Sequence, residues 1–476
     1  MSAHAESQRM AAGPRPVPTG ASYSITVRLH ADPEPSVVGV LATAVGAAGG
    51  VVTAVDVIES RHDRLTVDVT CSASNGEHAQ EIVEALGAIR GITVYRVSDR
   101  TFLLHLGGKI EVVSKVPLKS RDDLSMAYTP GVARVSMAIA ANPEDVSRLT
   151  IKGNCVAVVT DGSAVLGLGN IGPGAALPVM EGKAALFKRF AGIDAWPICL
   201  DTQDTDEIVA VVKAIAPGFG GINLEDISAP RCFEIERRLR AELSIPVMHD
   251  DQHGTAIVVL AALTNALRCL AKTLPAVRIV VAGGGAAGTA IVDLLLAAGA
   301  EHVLVYDRTG ILAPADERLD EAKKILAART NPAGVTGDLH RALQGADVFI
   351  GVSAPNILDP DWITDMAPDP VVFALANPDP EVDIPAAQQI AAIVATGRSD
   401  YPNQINNVLA FPGVFRGLLD ARASEVTTGM LLHAADALAH CVTDDQLNPY
   451  YIVPSVFDPQ VPKAVATAVR EAAATT

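Results

Sequence analysis

Aromatic residues are scarce in this chain. They make up 4% of its 476 residues, whereas hydrophobic residues of all kinds make up 49%. A composition rich in Ala, Val, Gly and Leu suits closely packed α/β layers better than a β-sandwich with many aromatic residues. A chain of this length is long enough for about three or four domains and a large buried core. The composition therefore favours an α/β protein of several domains.

Cysteine is also scarce, and the cysteines show no pairing along the sequence. No CxxC or CxxH spacing occurs among the six, and several lie in apolar runs as buried free thiols do. This pattern excludes the ligand spacing of a zinc module and gives no sign of a disulfide framework. The six are Cys71, Cys155, Cys199, Cys232, Cys269 and Cys441. We therefore predict a protein of the reducing cytoplasm.

Basic residues are fewer than acidic ones. The chain has 37 lysines and arginines against 54 aspartates and glutamates, which gives a formal net charge of −17. So acidic a chain is not expected to bind nucleic acid or an anionic membrane surface. A few well-placed cations can still bind a small anion, so the charge of a substrate stays open at this point.

No segment has the properties of a signal peptide or a membrane span. Residues 1–20 lack an apolar core and are rich in Pro, Gly and Ala, which predicts a disordered tail. The most hydrophobic segment, residues 255–274, contains Asn265, Arg268 and Lys272, and therefore predicts a buried helix. We expect a soluble protein with no membrane partner.

Residues 279–307 carry the strongest local motif. An apolar run ends in Gly283-x-Gly285-x-x-Gly288, a helical pattern follows, and a second apolar run ends at Asp307. This order lets a backbone turn approach a pyrophosphate at a helix N-terminus, while the acid accepts hydrogen bonds from a ribose diol. The alternative is a purely structural strand–turn–helix. The predicted dinucleotide-binding residues are Gly283, Gly284, Gly285, Ala286, Ala287, Gly288 and Asp307.

Residues 21–105 follow the order strand, helix, strand, strand, helix, strand. This βαββαβ order is that of a ferredoxin-like fold. The segment resembles an ACT domain, a small regulatory module that commonly binds amino acids or similar effectors in pairs. The resemblance implies a small-molecule effector, and the alternative is a dimerisation domain with a purely structural role.

Short apolar strands alternate with helical stretches from Cys155 to Leu270, within a domain predicted over residues 106–272. Repeated strand–helix units predict a parallel sheet covered by helices on both faces. A Rossmann-type dinucleotide domain is expected to follow over residues 273–430. A C-terminal helical segment over residues 431–476 is expected to pack on an earlier domain.

Acidic residues follow three of the strands predicted within residues 106–272. In open α/β sheets, ligands gather beyond the carboxyl ends of the strands. Carboxylates without cysteine nearby favour a hard cation such as Mg²⁺ or Mn²⁺. Any one of these acids alone is more readily a helix cap or a solvated residue, whereas pairs at successive strand ends favour a metal. The acids are Asp201 after one strand, Glu225 and Asp226 after the next, and Asp250 and Asp251 after the last.

Eight segments in collinear order resemble the malic enzyme family. They include AYTPGVA (127–133), TDGSAVLGLGNIGP (160–173) and IPVMHDDQHGTA (245–256). The chain looks like the compact bacterial form with an added ACT-like module. The resemblance implies oxidative decarboxylation of L-malate to pyruvate and CO₂, with NAD or NADP and a divalent metal. The other matching segments are 178–202, 220–236, 373–381, 404–417 and 450–459.

The resemblance also implies an acid and a base. Lys183 matches the general base that takes the proton from the malate hydroxyl group, and Tyr128 matches the general acid that protonates C3 of enolpyruvate. A lysine serves as a base only when its pKa is lowered. Burial, or the nearby Lys188 and Arg189, would lower the pKa of Lys183, whereas neighbouring carboxylates would raise it. A phenol is a poor acid near neutral pH, so a lysine neighbour of Tyr128 is expected.

The remaining implied residues bind the metal, the substrate or the cofactor. The implied metal ligands are Glu225, Asp226 and Asp251, and their ion would polarise the C2 oxygen and stabilise the enolate. Asp250 is expected to orient Lys183 or a water molecule. Asn377 and Asn407 match positions at which side-chain amides hold malate and the nicotinamide ribose, although each alone is typical of a turn.

One position departs from the larger, eukaryotic-type enzymes. Those enzymes have a substrate-binding arginine in the DGSR-type motif, where this chain has Ala164. Another cation must therefore meet the malate carboxylate. Three cations are candidates because they are near Tyr128 in sequence: Lys115, Lys119 and Arg134.

The charges after the second strand of the dinucleotide motif bear on the cofactor. Asp307 favours NAD, because its charge would repel a 2′-phosphate. Arg308 beside it would neutralise that phosphate and permit NADP. The local charge argument favours NAD.

Two alternatives to malate oxidation stay open. Malolactic chemistry on the same scaffold would give lactate without net NADH. A non-catalytic sensor would join an effector-binding module to a nucleotide-binding domain. Under each of these hypotheses we expect a homodimer or a higher homo-oligomer.

Overall fold

The computed structural model describes residues 23–165 and 167–475. These residues fall into two compact units, which divide between Lys109 and Ile110. The tail predicted for residues 1–20 lies outside the described residues. In the described part of the chain, no helix is both long enough and apolar enough to cross a bilayer.

The N-terminal unit is a four-stranded antiparallel sheet with helices on one face. Its elements are β1 (Ser24–Ala31), α1 (Val37–Ala47), β2 (Val51–Ser60), β3 (Leu65–Ser72), α2 (Gly76–Gly87), β4 (Ile92–Asp99) and α3 (Arg100–His105). The strand order is β2-β3-β1-β4. Val27 and Leu29 lie buried on the helix-covered face, whereas Arg28 between them binds Asp68 on the opposite face at 2.7 Å. The predicted βαββαβ order is confirmed.

The second unit begins with three helices that lie at the surface. They are α4 (Arg121–Ala127), α5 (Val132–Ala141) and α6 (Val146–Leu149). None of their residues is buried. Single 3₁₀ turns follow α5 at Pro143–Asp145 and α6 at Ile151–Asn154.

A four-stranded parallel sheet follows, as predicted. Its elements are β5 (Cys155–Thr160), α7 (Pro173–Ala191), β6 (Asp194–Cys199), α8 (Thr205–Ile215), β7 (Gly221–Leu224), α9 (Arg231–Glu242), β8 (Val247–His249) and α10 (Asp250–Cys269). The order is β6-β5-β7-β8. The carboxyl ends of β7 and β8 are therefore adjacent, and β6 is an edge strand two positions from β7.

Helix α10 accounts for the hydrophobic segment at residues 255–274. It is buried along most of its length. The side-chain amide of Asn265 donates hydrogen bonds to the carbonyl oxygens of Ala439 and Ile452, both at 2.9 Å. These bonds satisfy the polar group that argued against a membrane span, so the segment is the buried helix that was predicted.

The dinucleotide motif lies in a six-stranded sheet. Its elements are β9 (Arg278–Ala282), α11 (Ala286–Ala297), β10 (His302–Asp307), β11 (Gly310–Ile311), α12 (Glu321–Thr330), α13 (Leu339–Leu343), β12 (Val348–Gly351), β13 (Val371–Ala374), α14 (Ile384–Ala387) and β14 (Ile393–Thr396). The order is β11-β10-β9-β12-β13-β14. All pairs are parallel except β10 with the short β11, which the sequence did not predict.

Three C-terminal helices join the two parallel sheets: α15 (Phe411–Ala421), α16 (Thr428–Ala439) and α17 (Gln460–Ala473). The ring of Phe187 on α7 packs edge-on against Phe411 and Phe415, with centroids 4.8 and 5.4 Å apart. Gly413 faces α17 so closely that a Cβ there would lie 2.7 Å from Val465. The C-terminal segment thus packs on earlier parts of the chain, as predicted.

Candidate active site

Three carboxylates converge where β7 and β8 end. Glu225, Asp226 and Asp251 each offer an oxygen atom, and these oxygens all lie within 4.8 Å of one another. We call these three residues the acid cluster. Asp226 has a left-handed backbone (φ 54°), and its N–H donates to Asp251 at 2.9 Å. This turn aims two successive residues at one point, because a straight strand would send their side chains to opposite faces.

Asp201 does not join the acid cluster. It is exposed and follows the edge strand β6, which β5 separates from β7. The acid cluster is therefore formed only by residues that follow β7 and β8. Adjacency in the sheet, which differs from adjacency in the sequence, decides which strand ends meet.

The acid cluster is electrostatically strained. Burial raises the pKa of the Glu225 carboxyl well above its usual value, and neighbouring carboxylates raise it further, although Lys183 acts in the opposite direction. Carboxylate oxygens so close together repel one another unless a cation lies between them. The donor set consists of oxygen alone, so it fits a hard divalent ion such as Mg²⁺ or Mn²⁺.

Lys183 reaches the acid cluster from α7. Its side chain is 8% exposed, its ammonium group lies 2.8 Å from Glu225 and also contacts Asp250, and it lies 4.0 Å above the ring of Phe411. Burial lowers the pKa of Lys183, but Asp250 and Glu225 outweigh it and raise the pKa above its usual value. The lowered pKa that a general base requires is therefore not provided by these protein groups alone.

The two cations expected to assist Lys183 do not contact it. Lys188 binds Asp194 at 2.7 Å on the surface, and Arg189 is exposed. Five residues along an α-helix correspond to about 500°, which places Lys188 well away from the face that carries Lys183. Helical periodicity is therefore enough to exclude Lys188 as a group that lowers the pKa of Lys183.

Asp250 connects Lys183 to the C-terminal half of the unit. It is fully buried, and its Oδ2 accepts a hydrogen bond from the side-chain amide of Asn407 at 3.2 Å. The Asn407 Oδ1 in turn accepts one from the hydroxyl group of Thr255 at 3.1 Å. The structure thus brings Asn407 beside Lys183 although 224 positions separate them in the sequence.

A cavity of about 650 Å³ lies at the carboxyl edge of the six-stranded sheet. We call it the nucleotide cavity. Gly283, Gly284 and Gly285 line it, and α11 begins directly after them. A Cβ on Gly288 would lie 1.8 Å from the carbonyl oxygen of Gly283, so the turn tolerates no side chain there. Backbone amides at the start of α11 are therefore available to a pyrophosphate.

Asp307 lies at the rim of the nucleotide cavity with both oxygens engaged. Its Oδ2 contacts Lys323 Nζ at 2.6 Å, and its Oδ1 accepts from the N–H and hydroxyl groups of Thr309 at 2.7 and 2.5 Å. Burial acts to raise the pKa of Asp307, but these bonds lower it below its usual value. Arg308 lines the cavity, yet Lys323 is the cation that contacts Asp307. Lys323 could not be predicted from the sequence, because nothing in its spacing from Asp307 marks it as a contact.

Comparison with known proteins identifies the family. Models of the malic enzyme N-terminal domain and of the malic enzyme NAD-binding domain match residues 107–240 and 252–474. The chain belongs to the malic enzyme family. It is 56% identical to an NAD-dependent malic enzyme of Geobacillus stearothermophilus over 457 residues, which are 96% of this chain and 96% of that protein. That alignment extends into the N-terminal unit, which the family models do not cover.

Two further malic enzymes are similar to most of the chain. The chain is 51% identical to a bifunctional malic/malolactic enzyme of Bacillus subtilis, over 79% of this chain and 93% of that protein. The crystal structure of an NAD-dependent malic enzyme from Thermotoga maritima matches with a TM-score of 0.75 and 51% identity, over 78% of this chain and 99% of that chain. The resemblance seen in the motifs is confirmed.

Asn377 packs against the loop after β5. Its carbonyl packs on Gly167, where a Cβ would lie 2.4 Å from the oxygen, and its amide faces Gly397. The same loop carries Ala164, whose N–H donates to the carbonyl oxygen of Asp226 at 2.9 Å. Asn377 thus packs on the loop that contacts Asp226, and it is not among the residues that line the nucleotide cavity.

Tyr128, the expected general acid of a malic enzyme, is 69% exposed at the end of α4. It is not among the groups that contact Lys183 in the described part of the chain, and the two are not brought together. Large apolar side chains around it are exposed too: Val112, Val113, Leu118, Met126 and Met137. We call residues 112–137 the apolar segment.

The three candidate cations for the malate carboxylate all belong to the apolar segment. Lys115, Lys119 and Arg134 are exposed. Lys115 binds Asp194 on the surface at 3.2 Å. The structure therefore places none of the three inside the acid cluster.

Two residues behind the acid cluster were missed by sequence reasoning. Glu236 is buried, accepts the N–H of His249 at 3.0 Å and pairs with His253 at 2.9 Å, so it holds the end of β8. Arg231 binds the buried Asp161 at 2.9 Å behind the loop after β5. The sequence did carry a signal for Glu236, because it lies on the apolar face of α9, between buried Cys232 four positions before it and buried Leu239 three positions after it.

Proposed function

We propose that this enzyme oxidises and decarboxylates L-malate to pyruvate and CO₂, with NAD as hydride acceptor and Mg²⁺ or Mn²⁺ held by Glu225, Asp226 and Asp251. The observation that carries the proposal is the buried Lys183 in contact with the acid cluster. A cation and several carboxylates in one dry pocket suit a reaction that moves a proton and develops negative charge on oxygen. The nucleotide cavity in the same unit supplies the place for the hydride acceptor.

The protein groups divide the proton transfers between them. Glu225, Asp226 and Asp251 would hold the metal, which would supply polarisation of the C2 oxygen and stabilisation of the negative charge that develops there. Lys183 Nζ takes the hydroxyl proton, and Asp250, held by Asn407, orients that nitrogen. Asn377 and Asn407 hold malate and the nicotinamide ribose through their amides.

Tyr128 protonates the enolpyruvate in this proposal, and its exposure supports a homo-oligomer. A second copy of the chain that covers the apolar segment would desolvate the phenol and bury side chains such as Met126 and Met137. We expect light scattering of the purified protein to give a dimer or larger, and Met137→Glu to weaken the assembly. A fully active monomer would contradict this part. Tyr128→Phe should slow enolpyruvate protonation more than oxaloacetate reduction.

The N-terminal unit serves regulation in this proposal, as an ACT-like module that binds a small effector. Deleting residues 1–105 should leave basal catalysis and remove the response to the effector. Folded but inactive protein would instead assign this unit to the catalytic assembly. All six cysteines are free thiols, which supports a cytoplasmic location.

A malolactic reaction is the second candidate. The bifunctional malic/malolactic relative supports it, because one scaffold of this family is named for both reactions. Membership of an enzyme family argues against the sensor alternative. The two reactions differ in whether reduced cofactor accumulates with the product.

The deciding experiment mixes the purified protein with L-malate and Mn²⁺, and follows reduced cofactor with NAD and NADP in parallel. Metal-dependent reduction with formation of pyruvate is expected, faster with NAD. Lactate without accumulation of NADH would establish the malolactic reaction. If folded protein forms neither pyruvate nor lactate, the proposal is overturned.

A further inference from the structure

Glu381 is a buried acid that the proposed mechanism does not use. Its side chain is inaccessible to solvent, and its two oxygens accept backbone N–H groups from two different loops. Oε1 accepts from Ser353 at 2.9 Å and Oε2 from Ala376 at 3.0 Å. In the described part of the chain, no basic nitrogen lies within ion-pair distance of it. An unpaired buried carboxylate is costly unless hydrogen bonds compensate it, so these donors are essential to it.

The surrounding backbone is shaped to admit this side chain. Gly351 ends β12, and a Cβ there would lie 2.4 Å from the carboxyl carbon of Glu381. The N–H of Leu358 donates to the carbonyl oxygen of Glu381 at 2.9 Å, and that of Asn356 to Pro380 at 3.0 Å. Main chain and side chain thus tie together the loops that follow β12 and β13.

These two loops belong to different parts of the site. Ser353, Ala354 and Ile357, from the loop after β12, line the nucleotide cavity. The loop after β13 carries Asn377, the residue next to Ala376. A carboxylate between them therefore sets the position of Asn377 relative to the cavity wall.

We propose that Glu381 is a positioning residue, which holds Asn377 in register with the wall of the nucleotide cavity so that substrate and nicotinamide meet in the reacting geometry. The proposal rests on the proposed function in so far as Asn377 contacts a ligand. A misplacement of about 1 Å can reduce turnover about a hundredfold, so the effect of losing this bridge is measurable.

Glu381→Gln tests the proposal, because the amide group turns an N–H donor towards one of the two backbone donors. We expect the Kd for NADH, from fluorescence titration, to rise about tenfold and kcat to fall about a hundredfold, while the Kd for Mn²⁺ stays unchanged. Glu381→Asp keeps both carboxylate oxygens as acceptors on a side chain shorter by one methylene group. Its kcat should therefore be higher than that of Glu381→Gln but lower than that of the wild type. Glu301→Gln, at an exposed acid directly before β10 of the same sheet, is the control.

A purely structural role predicts another pattern. Glu381→Gln would then melt at a lower temperature but keep its NADH affinity and kcat within about twofold well below that temperature, which would overturn the proposal. If Glu381→Gln does not fold, unchanged NADH affinity and kcat in Glu381→Asp would overturn it equally. NADH binding can be measured without turnover, so the two proposals can fail separately. A wild-type protein that leaves malate unchanged would refute the proposed reaction. Weakened NADH binding in Glu381→Gln would still support the positioning role.

Discussion

The acid cluster and the nucleotide cavity lie in one unit but are built in opposite ways. The acid cluster is made of side-chain charges, with Glu225, Asp226 and Asp251 crowded beside the buried Lys183. The nucleotide cavity is lined at the start of α11 by the glycine turn of residues 283–285, and Asp307 with Lys323 forms an ion pair at its rim. In the first region, removing one charge leaves the others unbalanced. In the nucleotide cavity, a substitution has its largest effect where backbone atoms approach each other closely, as they do between Gly283 and Gly288.

Lys183→Ala is expected to have the largest effect. It removes the base and leaves buried Asp250 and Glu225 without their cation, so kcat should fall by about 10²–10⁴-fold while NAD affinity is unchanged. Steady-state rates and NADH titration measure both. Lys188→Ala on the exposed face of the same helix is the matched control and should keep its activity. Normal turnover of Lys183→Ala would remove this residue from catalysis.

Asp251→Ala should rank second. The variant loses one of three ligands, so metal-dependent turnover is expected to fall by about 10²–10³-fold, with nucleotide binding retained. Titration with Mn²⁺ and with NADH separates the two. Asp201→Ala tests the alternative acid and should behave as the wild type, because this residue is exposed and lies outside the cluster. An unchanged affinity for Mn²⁺ in Asp251→Ala would exclude it from the ligand set.

Gly288→Ala tests the backbone side of the comparison. The added Cβ would meet the carbonyl oxygen of Gly283 at 1.8 Å, so the turn must shift, and NADH affinity should fall about ten- to hundredfold. Binding of Mn²⁺ at the acid cluster should not change. Gly218→Ala, whose Cβ meets nothing within 4 Å, is the matched control. Equal losses of metal and nucleotide binding would show that the two regions are not independent.

Asp307→Asn should have the smallest effect, on cofactor choice. Without the carboxylate, Lys323 is released from its 2.6 Å contact and can bind a 2′-phosphate, so the ratio of kcat/KM for NADP over NAD should rise about tenfold. Lys323→Gln should shift the ratio in the opposite direction. If Arg308 alone governs the phosphate, Lys323→Gln will leave the ratio unchanged.

The sequence predicted the parts of the molecule that follow local rules. The strand and helix order of the N-terminal unit and of residues 155–270, the turn around Gly283 and the buried helix α10 all depend on periodicity and on residue types within a short stretch. The acids after β7 and β8 were found for the same reason, since each directly follows an apolar strand. Asp201 also follows an apolar strand but lies outside the acid cluster, because the order of strands in the sheet, which this local rule does not contain, places β6 away from β7.

The sequence by itself determined which residues form strands, helices, the glycine turn and the family motifs, since these patterns are written in neighbouring positions. Only the tertiary structure decided which of the acids meet, that Lys323 and not Arg308 contacts Asp307, and that Glu381 joins two loops. It also decided that Lys183 is buried among carboxylates while Tyr128 is exposed. The physical reason is common to all four: hydrogen bonds, charge pairs and burial depend on distances between segments, and separation along the chain does not encode those distances.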